Sequence, residues 1–214
     1  MKGLLIKDFR LMFQRKRSFL MILLCGFLFC FSTDAEYFVG WLVLIGAIFA
    51  LSTIAYDEHD NCYPFLMTLP VTKKGYAIEK YVFGMLCGAA FWVIGVIFYA
   101  AAAVIRGTPV NLGEKVLSFL MFLLIPLLIL DITIPLNLKF GSEKIRLVML
   151  IIWGVVFGGT MAVSQLIPGG IRLDAAAVLA LPPAALTALT AAVMAALTGV
   201  SVCFSIRVMS RKEF

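Results

Sequence analysis

Charge is the scarcest resource in this chain. Only 14% of its 214 residues are charged, and it has a single histidine, His59. Motifs that need two histidines, such as HExxH, are therefore excluded. None of the five cysteines, Cys25, Cys30, Cys62, Cys87 and Cys203, forms a CxxC pair. Four of them sit inside apolar runs, where a free thiol behaves as a small hydrophobe. A phosphate-binding loop is absent too. Gly107 and Gly113, followed by Glu114 and Lys115, imitate one, but the spacing is wrong and Val116 stands where Ser or Thr must hold magnesium. No His/Glu cluster or Ser/Lys pair falls at membrane depth, so the sequence offers no intramembrane hydrolase.

Apolar residues are what the chain has in abundance. They make up 63% of it, with a mean hydropathy of +1.05. Soluble domains hold about 45–50% apolar residues and about 25% charged ones. Six apolar runs stand out, at about 18–33, 37–55, 80–105, 116–138, 147–167 and 182–206. A crossing takes about 20 residues, so the length admits six spans and no separate soluble domain. Lipid forces each run to be helical, because every backbone N–H and C=O must find its partner within the segment. The expected fold is an all-α membrane protein with six transmembrane helices over 18–214, preceded by a separate N-terminal segment, 1–17.

Six spans put both termini on one side. With that side inside, only Arg106, Lys115 and Arg172 of the 18 basic residues fall outside. Such a bias fixes the termini as cytoplasmic. It also accounts for the net charge of +6 and the pI near 9.2 as topology and membrane attraction, not as a nucleic-acid footprint. The N-terminal segment is patterned. Leu5, Ile6, Phe9, Met12 and Phe13 share one helical face, and Lys7, Arg10, Gln14 and Arg17 the other. That is an amphipathic helix lying in the interface, its basic face toward anionic headgroups. A cleaved signal peptide fits less well, since Asp34 interrupts the cleavage pattern.

The connection between the second and third runs, 56–79, is the long polar interruption. Asp57, Glu58 and Asp60 come first, then an apolar patch of Tyr63, Phe65, Leu66 and Leu69, then Pro70 and the pair Lys73 and Lys74. Asn61 and Pro64 suit the start of a short helix that Pro70 ends. An apolar patch on a cytoplasmic loop must be covered. Two covers fit equally: a partner protein, or the ends of the chain's own helices.

Two motifs carry a family resemblance. The run FLMTLPVTKKGYAIEKY, after an acidic cluster, resembles the SLPVSR-like segment of ABC-2 type transporter permeases, with Thr68 where Ser is common. The run Pro135–Arg146, PLNLKFGSEKIR, is similar to the family's P-x-x-[FL]-K-F-G-x-E-K-x-R signature after the fourth span, with Asn137 in a position usually apolar. The matching motif residues are Lys139, Phe140, Gly141, Glu143, Lys144 and Arg146. The resemblance covers nearly the whole chain. It implies the membrane half of an ABC exporter in a bacterial plasma membrane. The pathway would form from two copies or two related chains. The loop between spans two and three would carry a coupling helix seated on a separate ATPase subunit, which alone would bind ATP and magnesium. Tyr63, Phe65, Leu66 and Leu69 would then be the docking residues, with Lys73 and Lys74 as their rim. The substrate stays open among peptides, lipids and drug-like molecules. A stand-alone secondary transporter and a non-catalytic membrane assembly protein are the alternatives.

Inside the fourth span, Asp131 is a carboxylate at membrane depth, which is costly and marks a functional position by default. Pro135 stands four residues on and removes the N–H that the Asp131 carbonyl would accept. A polar break in a kinked helix is expected there. It either lines the transport pathway, faces a hydrated cavity or pairs with a basic residue. The pairs Gly84/Gly88 and Gly154/Gly158 permit close helix approach, and the alanine-rich last run suggests tight packing of the same kind.

Overall fold

A computed structural model describes residues 2–14, 35–59, 62–68, 71–107, 112–145, 147–152 and 183–212, with isolated positions between them. Everything described is helix or short connection. The helices are α1 (Lys2–Gln14), α2 (Ala35–His59), α3 (Cys62–Thr68), α4 (Lys73–Ile105), α5 (Leu112–Phe140) and α6 (Pro183–Arg211). Four of them, α2, α4, α5 and α6, are long and apolar enough to cross a membrane. They match the second, third, fourth and sixth apolar runs. The first and fifth runs lie largely outside the described residues.

The spans alternate in direction around α4. α2 runs antiparallel to it in the most extensive contact of the fold, from Thr53 beside Lys80 at one end to Val39 beside Gly95 at the other. At Gly95 an added Cβ would lie 3.1 Å from the Val39 Cα, so the two backbones touch because no side chain intervenes. α5 and α6 also run antiparallel to α4 and hence parallel to each other: Leu130 of α5 packs on Gly84, and Ser201 of α6 bonds Tyr81 at 2.6 Å.

Two apolar clusters fill the bundle. One, toward the α3 end, gathers Leu4, Ile54, Leu66, Phe83, Ile134 and Met209. The other, toward the far end, is aromatic, with Phe38, Phe49, Phe91, Tyr99 and Phe119. There Tyr99 meets Phe119 edge-on at 5.0 Å, and Trp92 Nε1 donates to the Phe119 carbonyl at 2.8 Å. Aromatic pairs of this kind add about 0.5–1.5 kcal/mol to the burial itself.

α4 begins earlier than its apolar run suggests, at Lys73 rather than near 80. Thr72 is the reason. Its hydroxyl accepts from the Gly75 N–H at 3.0 Å, capping the helix. Thirty-three residues make α4 about 50 Å long, well beyond a hydrocarbon core of about 30 Å. Part of the helix must therefore extend beyond the hydrocarbon, and its first two turns are where its charges gather: Lys73, Lys74, Glu79 and Lys80.

α1 lies across the same end of the bundle. Leu4 and Asp8 are buried beneath it, Leu5, Phe9 and Met12 pack partly inward, and Phe9 meets Phe83 edge-on at 5.2 Å. Ile6 and Phe13 of the same apolar face are exposed. The face is thus divided between protein and surroundings.

The glycine and alanine patterns separate. Gly84 is filled by Leu130, whereas Gly88 and Gly154 have no heavy atom within 4 Å of an added Cβ; Gly158 lies outside the described residues. Ala191, Ala192, Ala195 and Ala196 are exposed, and α6 instead buries Met194, Ser201, Ser205 and Met209.

Candidate functional site

The loop between α2 and α4 folds as the short helix α3, and its apolar patch splits in two. Tyr63 and Leu66 point inward and are buried in the cluster beneath. Tyr63 sits 5.7 Å from the Tyr76 ring, edge-on, with the two hydroxyl oxygens 3.5 Å apart. The Lys212 ammonium lies 5.1 Å above its ring. Burial, with the Asp57 and Glu58 carboxylates close by, pushes the Tyr63 phenol up, so it stays neutral. Phe65 points the other way and is 66% exposed, flanked by the exposed Pro64 and Thr68. Leu69 lies outside the described residues. Lys73 is half-buried and donates to the Lys212 carbonyl at 2.6 Å, while Lys74 is exposed. Of the six residues proposed for docking, the structure therefore turns Phe65 and Lys74 outward and uses Tyr63 and Leu66 to seat the helix.

Directly behind Tyr76 lies a buried ion cluster built from three helices. The Lys80 ammonium of α4 bonds the Asp8 carboxylate of α1, and contacts Asp57 of α2 at 2.9 Å and the Thr53 hydroxyl at 3.2 Å. Lys7 bonds Asp57 and lies 3.2 Å from Asp8. The Tyr76 hydroxyl donates to Asp57 at 2.9 Å. Glu79 is the odd member. It is buried with no hydrogen bond to either oxygen among the described residues, and Lys80 lies 3.9 Å away. Asp8 and Asp57 are balanced by Lys7 and Lys80; breaking such a buried pair by removing one partner costs on the order of 3–5 kcal/mol. Through Tyr63, Tyr76, Asp57, Lys80 and Asp8, α3 is tied by consecutive contacts to α4, α2 and α1.

The second motif forms the neighbouring corner. α5 ends at Phe140, and Gly141 turns the chain with φ at +84°, a conformation glycine adopts without strain. The Gly141 N–H donates to the Asn137 carbonyl at 2.9 Å, closing the helix. The next N–H, of Ser142, donates to the Glu58 carboxylate, which reaches across from α2. A Cβ on residue 141 would come within 2.3 Å of Glu58 Oε1. Lys139, Phe140, Glu143 and Lys144 are exposed around this corner, and Arg146 lies outside the described residues.

A model of the ABC-2 family transporter proteins matches residues 3–210, nearly the whole chain. The chain belongs to the ABC-2 transporter family. No curated protein and no solved structure matches it. It is an integral membrane protein, the permease component of an ABC transporter, and such components associate with an ATPase subunit. Membership decides against the stand-alone transporter and the assembly protein.

Among the described residues, no base pairs with Asp131. Its carboxylate accepts from the Thr198 hydroxyl at 2.7 Å. The backbone carbonyl that Pro135 leaves without a helical partner accepts instead from Ser201. Tyr81 continues the chain of hydroxyls, lying 2.6 Å from Ser201 and 2.8 Å from Ser205. A polar seam thus joins α4, α5 and α6 within the ABC-2 bundle.

Sequence reasoning did not find the ion cluster. Lys80 and Lys7 read as topology charges, and the acidic residues ahead of α3 read as a flank. One signal was present: Asp8 is the single acid in the basic segment 2–17. An acid in a segment under selection for positive charge asks for a specific partner.

Proposed function

We propose that this permease is the membrane half of an exporter driven by a separate ATPase, and that the ATPase grips α3 through Phe65. The observation that carries this reading is the division of α3. Leu66 is 4% exposed and Phe65 66% exposed on the same seven-residue helix. An exposed Phe on a helix that is firmly seated behind it suits a socket on another protein. The Tyr63–Tyr76–Asp57–Lys80–Asp8 chain gives a push on α3 a direct route into α1, α2 and α4. ATP and magnesium belong to the partner in this reading, and the permease itself catalyses nothing.

Six crossings follow from the six apolar runs, four of which are the described α2, α4, α5 and α6. α5 and α6 are parallel and end side by side, with Lys212 donating to the Leu138 carbonyl at 3.3 Å. α1 lies at the end where α2 finishes, its Lys7 bonding Asp57. Both termini then fall on the α3 side, cytoplasmic by the charge bias, in a bacterial plasma membrane. The pathway forms with a second copy or a related chain. Asp131 and Pro135 mark a polar break beside that pathway. The cargo is a peptide, a lipid or a drug-like molecule.

The test is co-purification with the cognate ATPase. Phe65→Asp should abolish capture while the permease keeps its melting temperature. Capture unchanged by that substitution would refute docking through Phe65.

A further inference from the structure

A groove of about 350 Å³ opens between the ends of α5 and α6. It is lined by the apolar Leu138, Phe204 and Val208 and by the cations Lys139, Arg207, Arg211 and Lys212, the last also donating to the Leu138 carbonyl. That size falls in the range of small-molecule sites, about 300–1,000 Å³. Phe204, Arg207, Val208 and Arg211 share one stripe of α6 by their spacing of three and four residues. Like charges so spaced repel. Among the described residues no carboxylate lies within ion-pair distance of Lys139, Arg207 or Arg211.

We propose that this groove holds the headgroup of an anionic phospholipid. The four cations make a positive field that attracts an anionic phosphodiester, and Arg207 and Arg211 can each offer it a bidentate fork. Phe204, 46% exposed, stands about 4.5 Å deeper in the span than Arg207, where an acyl chain continues from the headgroup. A free phosphate or a soluble anion would gain nothing from that apolar wall. Helix ends favour cations in any case, but that preference does not call for a groove with an apolar inner wall. Basic pockets between spans at the membrane boundary suit such headgroups.

The test uses the full-length permease purified in detergent. Retained phospholipid is quantified by mass spectrometry, and melting temperature is followed on adding phosphatidylglycerol or phosphatidylcholine. Phosphatidylglycerol should be retained and should raise the melting temperature; phosphatidylcholine should do neither. Each basic residue near an anionic surface contributes about a fivefold factor, so Arg207→Gln with Arg211→Gln should weaken phosphatidylglycerol binding roughly 25-fold. The matched pair Arg106→Gln with Lys115→Gln, removing the same charge at the opposite end of the spans, should bind as the unmodified protein does. Equal effects of the two lipids on the unmodified protein would overturn the proposal, as would unchanged retention in the Arg207/Arg211 variant. Inorganic phosphate giving the same stabilisation would assign the groove to a free anion instead. Loss of ATPase capture with lipid retention intact would make it a protein contact.

Discussion

Lys80 illustrates how one side chain binds distant parts of the chain. It is 1% exposed and held by Asp8, Asp57 and Thr53. Replacing it by Met removes its own charge and leaves the buried carboxylates Asp8 and Asp57 to share the half-buried Lys7. The expected cost is about 3–5 kcal/mol, read as a fall in melting temperature in detergent. Adding Asp8→Asn to Lys80→Met should cost less than the sum of the two changes, since each then removes part of the other's penalty. Strict additivity would mean that the pair does not act as a unit. Gly141 is the second residue to test. Gly141→Ala meets both a left-handed backbone and the Glu58 carboxylate, for an expected loss of about 1–3 kcal/mol. Gly88→Ala, with open space around the new Cβ, should change little by the same thermal assay.

At the level of elements, the seam between α5 and α6 rests on an exchange. Pro135 withholds an N–H from the Asp131 carbonyl, and Ser201 supplies a hydroxyl in its place. Ser201→Ala should therefore destabilise by about 1–3 kcal/mol, the cost of an unsatisfied buried acceptor. With Pro135→Ala as background, the helix recovers its own N–H, and the same Ser201→Ala change should cost clearly less. An equal cost in both backgrounds would show that Ser201 acts otherwise. The break itself was legible in the sequence, because proline chemistry is local. Its repair was not, because Ser201 lies 70 residues away. The same contrast runs through the fold. Four spans follow from apolar length alone, and the start of α3 from Asn61 and Pro64. The early start of α4 hides in a single threonine cap. Which half of the α3 patch faces inward depends on Tyr76, and no pattern within the loop reveals it. The ion cluster required knowing that α1 lies over α4, which hydropathy does not encode.

On the scale of the whole molecule, the described residues crowd together at the α3 end. α1, α3, the first turns of α4, the Gly141 corner and Lys212 all meet there, while the far end is closed by aromatic rings. This asymmetry makes the paired substitutions at α3 informative. Leu66→Asp should unfold the protein, since its side chain sits in the core. Phe65→Asp should leave the fold intact and act only on the association with the ATPase. Thermal melting and capture assays run side by side on both variants separate a structural residue from a docking one. If both variants lose stability alike, α3 belongs wholly to the bundle.

Asp8 and Asp57, the acids that hold Lys80, both precede it in the chain. Translation therefore delivers the negative partners before the positive one, and the nascent polypeptide never exposes an unmatched ammonium at that depth for want of later residues. Asp131 has the opposite timing, because Thr198 and Ser201 emerge long after it. A ribosome stalled just past α4 should already shield Lys80 from amine-reactive labels, whereas one stalled past α5 should still leave Asp131 waiting for its partners.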